Sequence, residues 1–346
     1  MRTGERIVTP ARSAPRTAPG VQKGEADDRA PASGVRLDWP ALPAHVRAAV
    51  EAWFNEPVAE ATTQQGGFSP GVAARLRTFS GQRAFLKAVG PEPNPDSVRL
   101  HRREQRIASA LPAEALAPRL LWSFDGGEGD WVALVYEDID GWQPHMPWRA
   151  DELDRVLVAL GKLSAALTPS PVPAAIAGLI ADEGLFRARW WGRMLDAPPP
   201  ALDPWAARHL LELALLETAA GEAAAGETLL HLDLRADNLL LTPERVVVVD
   251  WPHARIGAAW VDIIAIAPSI AMQGGPAPAT LFARHPTSHT APPESVTAVI
   301  ALMAGYFTWS ALQPPPPGLP TLRAFQDAQG LSARQWLAER MKTGSR

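Results

Sequence analysis

The sequence predicts an α+β chain of two unequal halves, a small antiparallel sheet carrying one helix and then a larger, mostly helical half. Three observations lead there. Between Gly66 and Asp140, short runs of β-forming residues alternate with turn signals. After Trp148 the apolar residues recur at helical spacing. Proline clusters at 198–200 and 314–317 keep the helices apart. Strand-rich sequence followed by helix-rich sequence folds as α+β, not as alternating α/β.

Residues 1–37 mix Arg, Ala, Pro, Ser and Gly with almost no large apolar side chains. Such a segment buries too little surface to offset its ordering entropy, so a disordered tail is expected there. Glu5, Glu25, Asp27 and Asp28 set it apart from an acid-poor transit peptide. Order is expected from about Trp39, with a helix through PAHVRAAVEAWF, and the small half is expected to span 38–140. Within it, VAARLRTF and AFLKAV flank the turn Ser80-Gly81-Gln82-Arg83, and RLLWSF and WVALVYEDI flank Asp125–Asp130. Each pair reads as a hairpin, and one helix, DSVRLHRREQRIASAL, separates them. The helical half, 141–346, opens on the stripe Leu153, Val156, Leu157, Leu160 and Leu167. Further helices fit 175–195, 203–220, 260–272, 294–312 and 331–342. The one strand signal in this half lies at 239–249.

The totals exclude several functions. A length of 346 residues suits two ordinary domains or one two-lobed unit. A net charge of −4 leaves no basic footprint for nucleic acid or an anionic membrane. No apolar run reaches the roughly 18 residues of a bilayer span. The N-terminus lacks the apolar core of a secretory signal, so a cytoplasmic location is expected. With no cysteine, disulfides and thiolate metal sites are ruled out.

The chemistry concentrates in HLDLRADN, residues 231–238, followed by RVVVVDW at 245–251. Leu239–Leu241 and Val246–Val249, joined by Thr242-Pro243-Glu244-Arg245, read as two short strands and a turn. Pairing Leu241 with Val246 sets Leu239 opposite Val248 and leaves Asn238 and Asp250 at the open end, within side-chain reach of each other. Two oxygen donors with no Cys or His between them suit a hard cation such as Mg²⁺. Asp233 sits in the loop entering the same spot and suits a base for a hydroxyl nucleophile. An acid-rich turn capping its own backbone is the plainer alternative for any one of these residues. The spacing H-x-D-x-x-x-x-N plus an Asp ending an all-valine strand makes several independent demands at once.

The stretch HLDLRADNLLL…VVVVDW resembles the catalytic and metal-binding loops of the aminoglycoside phosphotransferase and choline kinase family, relatives of protein kinases. The resemblance implies a bilobal, protein-kinase-like fold over roughly residues 60–312. It implies that Asp233 is the catalytic Asp, that Asn238 and Asp250 hold Mg²⁺, and that Arg235 takes the place of the protein-kinase catalytic-loop lysine. Asp262 matches the family's Asp that begins the next helix and braces the catalytic loop; an ordinary helix-start acid would look the same. His231 is expected to orient the loop.

The small half must then supply phosphate contacts. Gly66, Gly67 and Gly71 form a glycine-rich bend whose N–H groups can approach phosphates, though not at G-x-G-x-x-G spacing. Lys87 is the sole lysine between Lys23 and Lys162 and lies within an apolar strand. Leu100, Glu104, Ile107 and Leu111 share one helix face, so Glu104 points inward and needs a cation. Lys87 is that cation, and a strand-lysine to helix-glutamate pair aims a lysine at nucleotide phosphates. By resemblance, backbone around Tyr136–Asp138 meets the adenine.

Trp251-Pro252 stands where protein kinases have Phe-Gly, and no Ala-Pro-Glu follows. A small-molecule kinase using ATP and Mg²⁺ is therefore expected over a protein kinase. Its acceptor is a hydroxyl, and the resemblance suggests an aminoglycoside or other antibiotic. Nine acids against three arginines between Glu212 and Asp262 lend that mild support. A choline-like or sugar alcohol stays open, as does a catalytically idle nucleotide-binding scaffold. His285 and His289 fall in a proline-rich stretch that reads as surface loop.

Overall fold

Strands β1 (Val58–Thr63), β2 (Val72–Thr78), β3 (Arg83–Val89), β4 (Leu120–Asp125) and β5 (Val132–Tyr136) form one antiparallel sheet in the order β1-β2-β3-β5-β4. The computed structural model describes residues 36–64, 71–92, 95–316 and 319–344. Both hairpins expected from the sequence are present, β2–β3 with Ala73 opposite Lys87 and β4–β5 with Phe124 opposite Ala133. Sequence patterning does not mark β1. It is a half-exposed edge strand, VAEATT, whose side chains carry little apolar alternation.

Alternation in β3 decides where its side chains go. Leu86 and Ala88 turn to one face, where Val46, Val50 and Phe54 of helix α1 (Ala44–Phe54) cover them. Lys87 turns to the other, toward helix α2 (Pro95–Ala108). Residues 36 and 37, grouped with the tail on sequence grounds, already belong to this half. Leu37 N–H donates to Gly71 O at 3.0 Å, and Arg36 pairs with Gly71 as an isolated parallel bridge. The expected tail otherwise lies outside the described residues.

The helical half begins with α3 (Ala150–Ala166), whose stripe Leu153, Val156, Leu157, Leu160 and Leu163 is buried. The expected helix at 175–195 is broken into α4 (Ala174–Ala177), α5 (Gly184–Arg187) and α6 (Trp190–Asp196), because Gly178 adopts φ +74° and interrupts it. The next expected helix divides into α7 (Pro204–Arg208), α8 (Leu210–Thr218) and α9 (Ala220–Ala223). After the site come α10 (Val261–Met272), α11 (Pro278–Arg284), α12 (Pro293–Ala311) and α13 (Leu322–Gly344). The last begins well ahead of the expected 331. A surface-loop reading fails for His285. It is 3% exposed, and burial lowers its pKa to about 4. His289 is exposed.

Two small antiparallel pairs sit beneath the join between the halves. β7 (Leu239–Leu241) pairs with β8 (Val246–Val248) in the expected register, Leu239 opposite Val248. β6 (Thr228–Leu230) pairs with β9 (Arg255–Gly257), a contact across the motif with no signal in either three-residue run. The linker is stitched to β7 by Trp142 and Leu241, whose N–H groups donate to each other's carbonyls at 2.9 and 2.7 Å. Gly141 permits that approach, since a Cβ there would meet Leu241 O at 2.7 Å. Among the described residues no helix is long and apolar enough to cross a membrane.

Candidate active site

The loop from β6 to β7 is held in a strained shape by buried polar bonds. Leu232 has φ +62°, a left-handed conformation costly for a bulky side chain. Asp262, in the first turn of α10, accepts the N–H of His231 at 2.8 Å and of Leu232 at 2.9 Å. It thus braces the loop from below, as the resemblance implies. Burial raises the Asp262 pKa, and those two N–H bonds work against the rise. His231 is fully buried and neutral, its pKa lowered by burial. Its Nε2–H donates to Val249 O at 3.0 Å, and its Nδ1 accepts from Asp233 N–H at 3.2 Å. That bond pair fixes the tautomer and ties the loop to the strand leading to Asp250.

So braced, the loop presents Asp233 with both oxygens engaged. Oδ1 accepts from Arg235 at 2.5 Å and Oδ2 from Asn238 Nδ2 at 3.2 Å. Arg235 also binds Asp237 with two parallel bonds of 3.0 Å. Burial works against the guanidinium charge, but Asp233 and Asp237 outweigh it and its pKa is raised. Asn238 Nδ2 donates to Asp233 O at 2.7 Å as well. The expected offset between Asn238 and Asp250 is present: Val249 N–H donates to Asn238 O at 3.0 Å, which leaves Asp250 one residue beyond the pairing.

Lys87 comes down from the sheet onto this spot. Its Nζ lies 2.5 Å from Glu104 Oε2 and 2.5 Å from Asp250 Oδ1. Glu104 is 2% exposed and accepts a second bond, from Tyr136 Oη at 3.1 Å. Burial disfavours the ammonium, yet the two carboxylates outweigh it and the Lys87 pKa is raised. Burial also opposes the Asp250 charge, but Lys87 and Arg235 hold its pKa down. Burial raises Glu104, so Glu104 is the carboxylate of the pair that protonates first. Asp250 has φ +71°.

Two cavities meet here. One, about 400 Å³, lies under the sheet and is lined by Lys87, Glu104, Glu137, Ile139, Asn238 and Asp250. The other, about 500 Å³, lies over the helical half and is lined by Asp233, Arg235 and Asp250. Asp250 and His101 form part of both walls. Two ligand-sized clefts thus adjoin at Asp250, with Asp233 beside it on the wall of the second.

The residues expected near adenine divide. Tyr136 spends its hydroxyl on Glu104, and the Asp138 carboxylate is taken by Arg75 at 2.7 Å and Arg83 at 2.6 Å. Main-chain groups are free within that stretch and just beyond it. Glu137 O and Ile139 N–H make no hydrogen bond among the described residues, and both residues line the cleft. Gly66 and Gly67 lie outside the described residues. Gly71 has φ +99°, and a Cβ there would meet Ala88 O at 2.4 Å.

Sequence reasoning misses three residues of the cleft. Arg36 lines it and is drawn electrostatically to Asp250 and Asp237, although it sits in sequence resembling a tail. Arg75 lines it from β2. His101 is 4% exposed, its Nδ1–H donating to Ser97 O at 3.0 Å. Burial, then Lys87, lower its pKa to about 3. Between that value and the ordinary 6.5 the unfolded chain binds the proton, so stability falls as pH drops through this window. The slope is about 1.4 kcal/mol per pH unit. Urea unfolding at pH 7 and pH 5 is therefore expected to show wild type losing about 2 kcal/mol more than His101→Gln.

The donor set fits a hard divalent cation. Asp250 Oδ2 and Asn238 Oδ1 accept no hydrogen bond among the described residues, although their partner atoms are engaged. No cluster of three or more His, Cys, Asp or Glu exists there that could hold a metal by itself. The two unengaged oxygens suit Mg²⁺, which is bound through one or two protein oxygens with phosphate and water completing the shell.

Comparison with known proteins agrees with this geometry. No curated protein matches the sequence. A thermostable mutant of an aminoglycoside phosphotransferase, in ternary complex with AMP-PNP and hygromycin B, is similar in fold: TM-score 0.56, 13% identity, 86% of this chain and 98% of that one. So is a choline/ethanolamine kinase family protein from Mesorhizobium loti, with TM-score 0.53, 17% identity, and 84% and 93% covered. The choline kinase LicA from Streptococcus pneumoniae has TM-score 0.53, 13% identity, and 86% and 100% covered. These likenesses establish the bilobal fold, a sheet lobe over a helical lobe. The model of the phosphotransferase enzyme family matches residues 65–296, about two thirds of the sequence, and the chain belongs to that family.

Proposed function

We propose that the protein transfers the γ-phosphoryl group of Mg·ATP to a hydroxyl of a small molecule. The observation that carries this reading is the convergence of Lys87, Asn238, Asp250 and Asp233 where the two cavities meet. Glu137 O and Ile139 N–H are placed to receive the adenine edge. Lys87, aimed by Glu104, exchanges Asp250 for phosphate oxygens when nucleotide enters. Asn238 and Asp250 hold the cation through their unengaged oxygens. Bound Mg²⁺ would neutralise charge on the phosphates and fix their geometry. Asp233 orients the acceptor hydroxyl and takes its proton, while Arg235 lends positive charge beside the transferring group. The transition state is loose, so positioning and electrostatics supply most of the rate. The lobes divide near Gly141, residues 36–140 covering nucleotide and 141–344 presenting the acceptor site.

The structures with AMP-PNP and hygromycin B, or with ADP and spectinomycin, pair nucleotide and small alcohol in the same fold. The test is transfer of labelled γ-phosphate from ATP to a panel of alcohols. Label recovered on an alcohol is expected. Label found solely on polypeptide would refute the reading.

A further inference from the structure

The acceptor cavity has a chemistry of its own, and we infer that it takes an uncharged alcohol with a bulky, ring-bearing apolar body. The inference rests on the kinase reading for the reaction and on the cavity for the substrate class.

Charge comes first. The acids on the cavity wall are Glu183, Asp233 and Asp250. Each has a cation of this chain against it: Arg255 on Glu183, Arg235 on Asp233 and Lys87 on Asp250. Without nucleotide each acid of the wall thus has a cation beside it, although Arg235 is shared with Asp237 and Lys87 with Glu104. With nucleotide bound, the divalent cation held by Asp250 would take the place of Lys87. A polyaminated sugar entering here would lose hydration at each ammonium and find the wall's carboxylates already engaged by internal cations, a costly exchange. The acid-rich count between Glu212 and Asp262 therefore does not become an anionic pocket.

Apart from Ser97, His101, His253, Gln326 and Gln329, the rest of the wall is largely apolar. Leu185, Trp190, Met303, Tyr306, Phe307 and Phe325 supply a volume of about 500 Å³ with ring and aliphatic surface. This aromatic wall is not an open cage for a quaternary ammonium. Arg193 lies 5.1 Å from the Trp190 ring centroid, so that ring already serves an internal cation, and Tyr306 meets it edge-on at 5.3 Å.

Among the polar groups of the wall, which include Ser97 and His253, a glutamine of α13 is placed to read the apolar body of the ligand. Gln326 is satisfied by Arg323 at 2.7 Å and by Tyr306 Oη at 3.4 Å. Gln329, one turn further along α13, is 5% exposed, lines the cavity and makes no hydrogen bond among the described residues. Its amide faces the cavity, so a ligand that displaces water from it must supply a hydrogen-bond partner or lose affinity. Gln329 therefore assigns the substrate a carbonyl, amide or second hydroxyl on its apolar body, remote from the hydroxyl that Asp233 engages.

The experiment is calorimetric titration of the protein saturated with Mg·AMP-PNP, together with ATP-dependent transfer assays on the same compounds. Chloramphenicol and phenylbutanediol are the uncharged probes; kanamycin and hygromycin B are the polyaminated ones. The uncharged pair is expected to bind at least about tenfold tighter, with little response to salt. Gln329→Leu should weaken chloramphenicol about tenfold and leave AMP-PNP affinity unchanged. Tighter binding of the amino sugars, or binding of neither set, overturns the inference. Amino sugars that bind and accept phosphate would do so while leaving the kinase reading intact. Uncharged probes that bind without accepting phosphate support the inference and count against the kinase reading.

Discussion

Asp233→Asn is expected to lower turnover about 10²–10⁴-fold while Mg·ATP affinity stays within about twofold of wild type. The substitution keeps the side chain's size and its ability to accept from Arg235, so the loop held by Asp262 and His231 should keep its shape. It removes the site for the hydroxyl proton and sets an amide N–H₂ against Asn238 Nδ2, which now donates to Asp233 Oδ2. The residues proposed to contact nucleotide, Lys87, Glu137 and Ile139, line the other cavity and are untouched. Steady-state rates with a calorimetric nucleotide titration separate the two quantities. Unchanged turnover would remove Asp233 from the chemistry.

Lys87→Met is expected to abolish activity and to destabilise the fold by about 3–5 kcal/mol, because it strands Glu104 against Asp250 in a buried site. Adding Glu104→Leu should recover most of the stability and none of the activity. That split distinguishes a phosphate-binding lysine from one that is only structural. In the single variant Glu104 can relieve the repulsion by holding a proton. Its folded pKa then lies further above its unfolded value, so the deficit shrinks as pH falls and grows as pH rises. Chemical denaturation of both variants at two pH values gives the answer. Loss of activity with no loss of stability in Lys87→Met would contradict the buried triad.

The parts legible in the sequence are those fixed by local pattern. The β2–β3 and β4–β5 hairpins have turn residues between alternating runs, and β7–β8 has its register set by a four-residue turn. Glu104 was readable because a lone acid on an apolar helix face must find a cation, and one lysine was within reach. The missed features depend on contacts distant in sequence. β6 and β9 are three residues each and pair across the whole motif, too short for any periodicity. Arg36 reaches the cleft because Leu37 docks on Gly71, within composition that resembles a tail. The main-chain groups of Glu137 and Ile139 proposed to face adenine are invisible to residue type, and the resemblance alone points to the backbone around Tyr136–Asp138. The neutralised acids of the acceptor cavity could not be read from a count, since Arg255, Arg235 and Lys87 come from three separate elements.

The central claim is that Asn238, Asp250 and Lys87 form one Mg·nucleotide site. Its most direct test is calorimetric titration of AMP-PNP into wild type and Asp250→Asn, with Mg²⁺ and with EDTA. Wild type should bind at least about tenfold tighter with Mg²⁺, and Asp250→Asn should lose most of that gain. Equal affinity with and without the cation, or a cation effect that survives Asp250→Asn in full, would contradict the account.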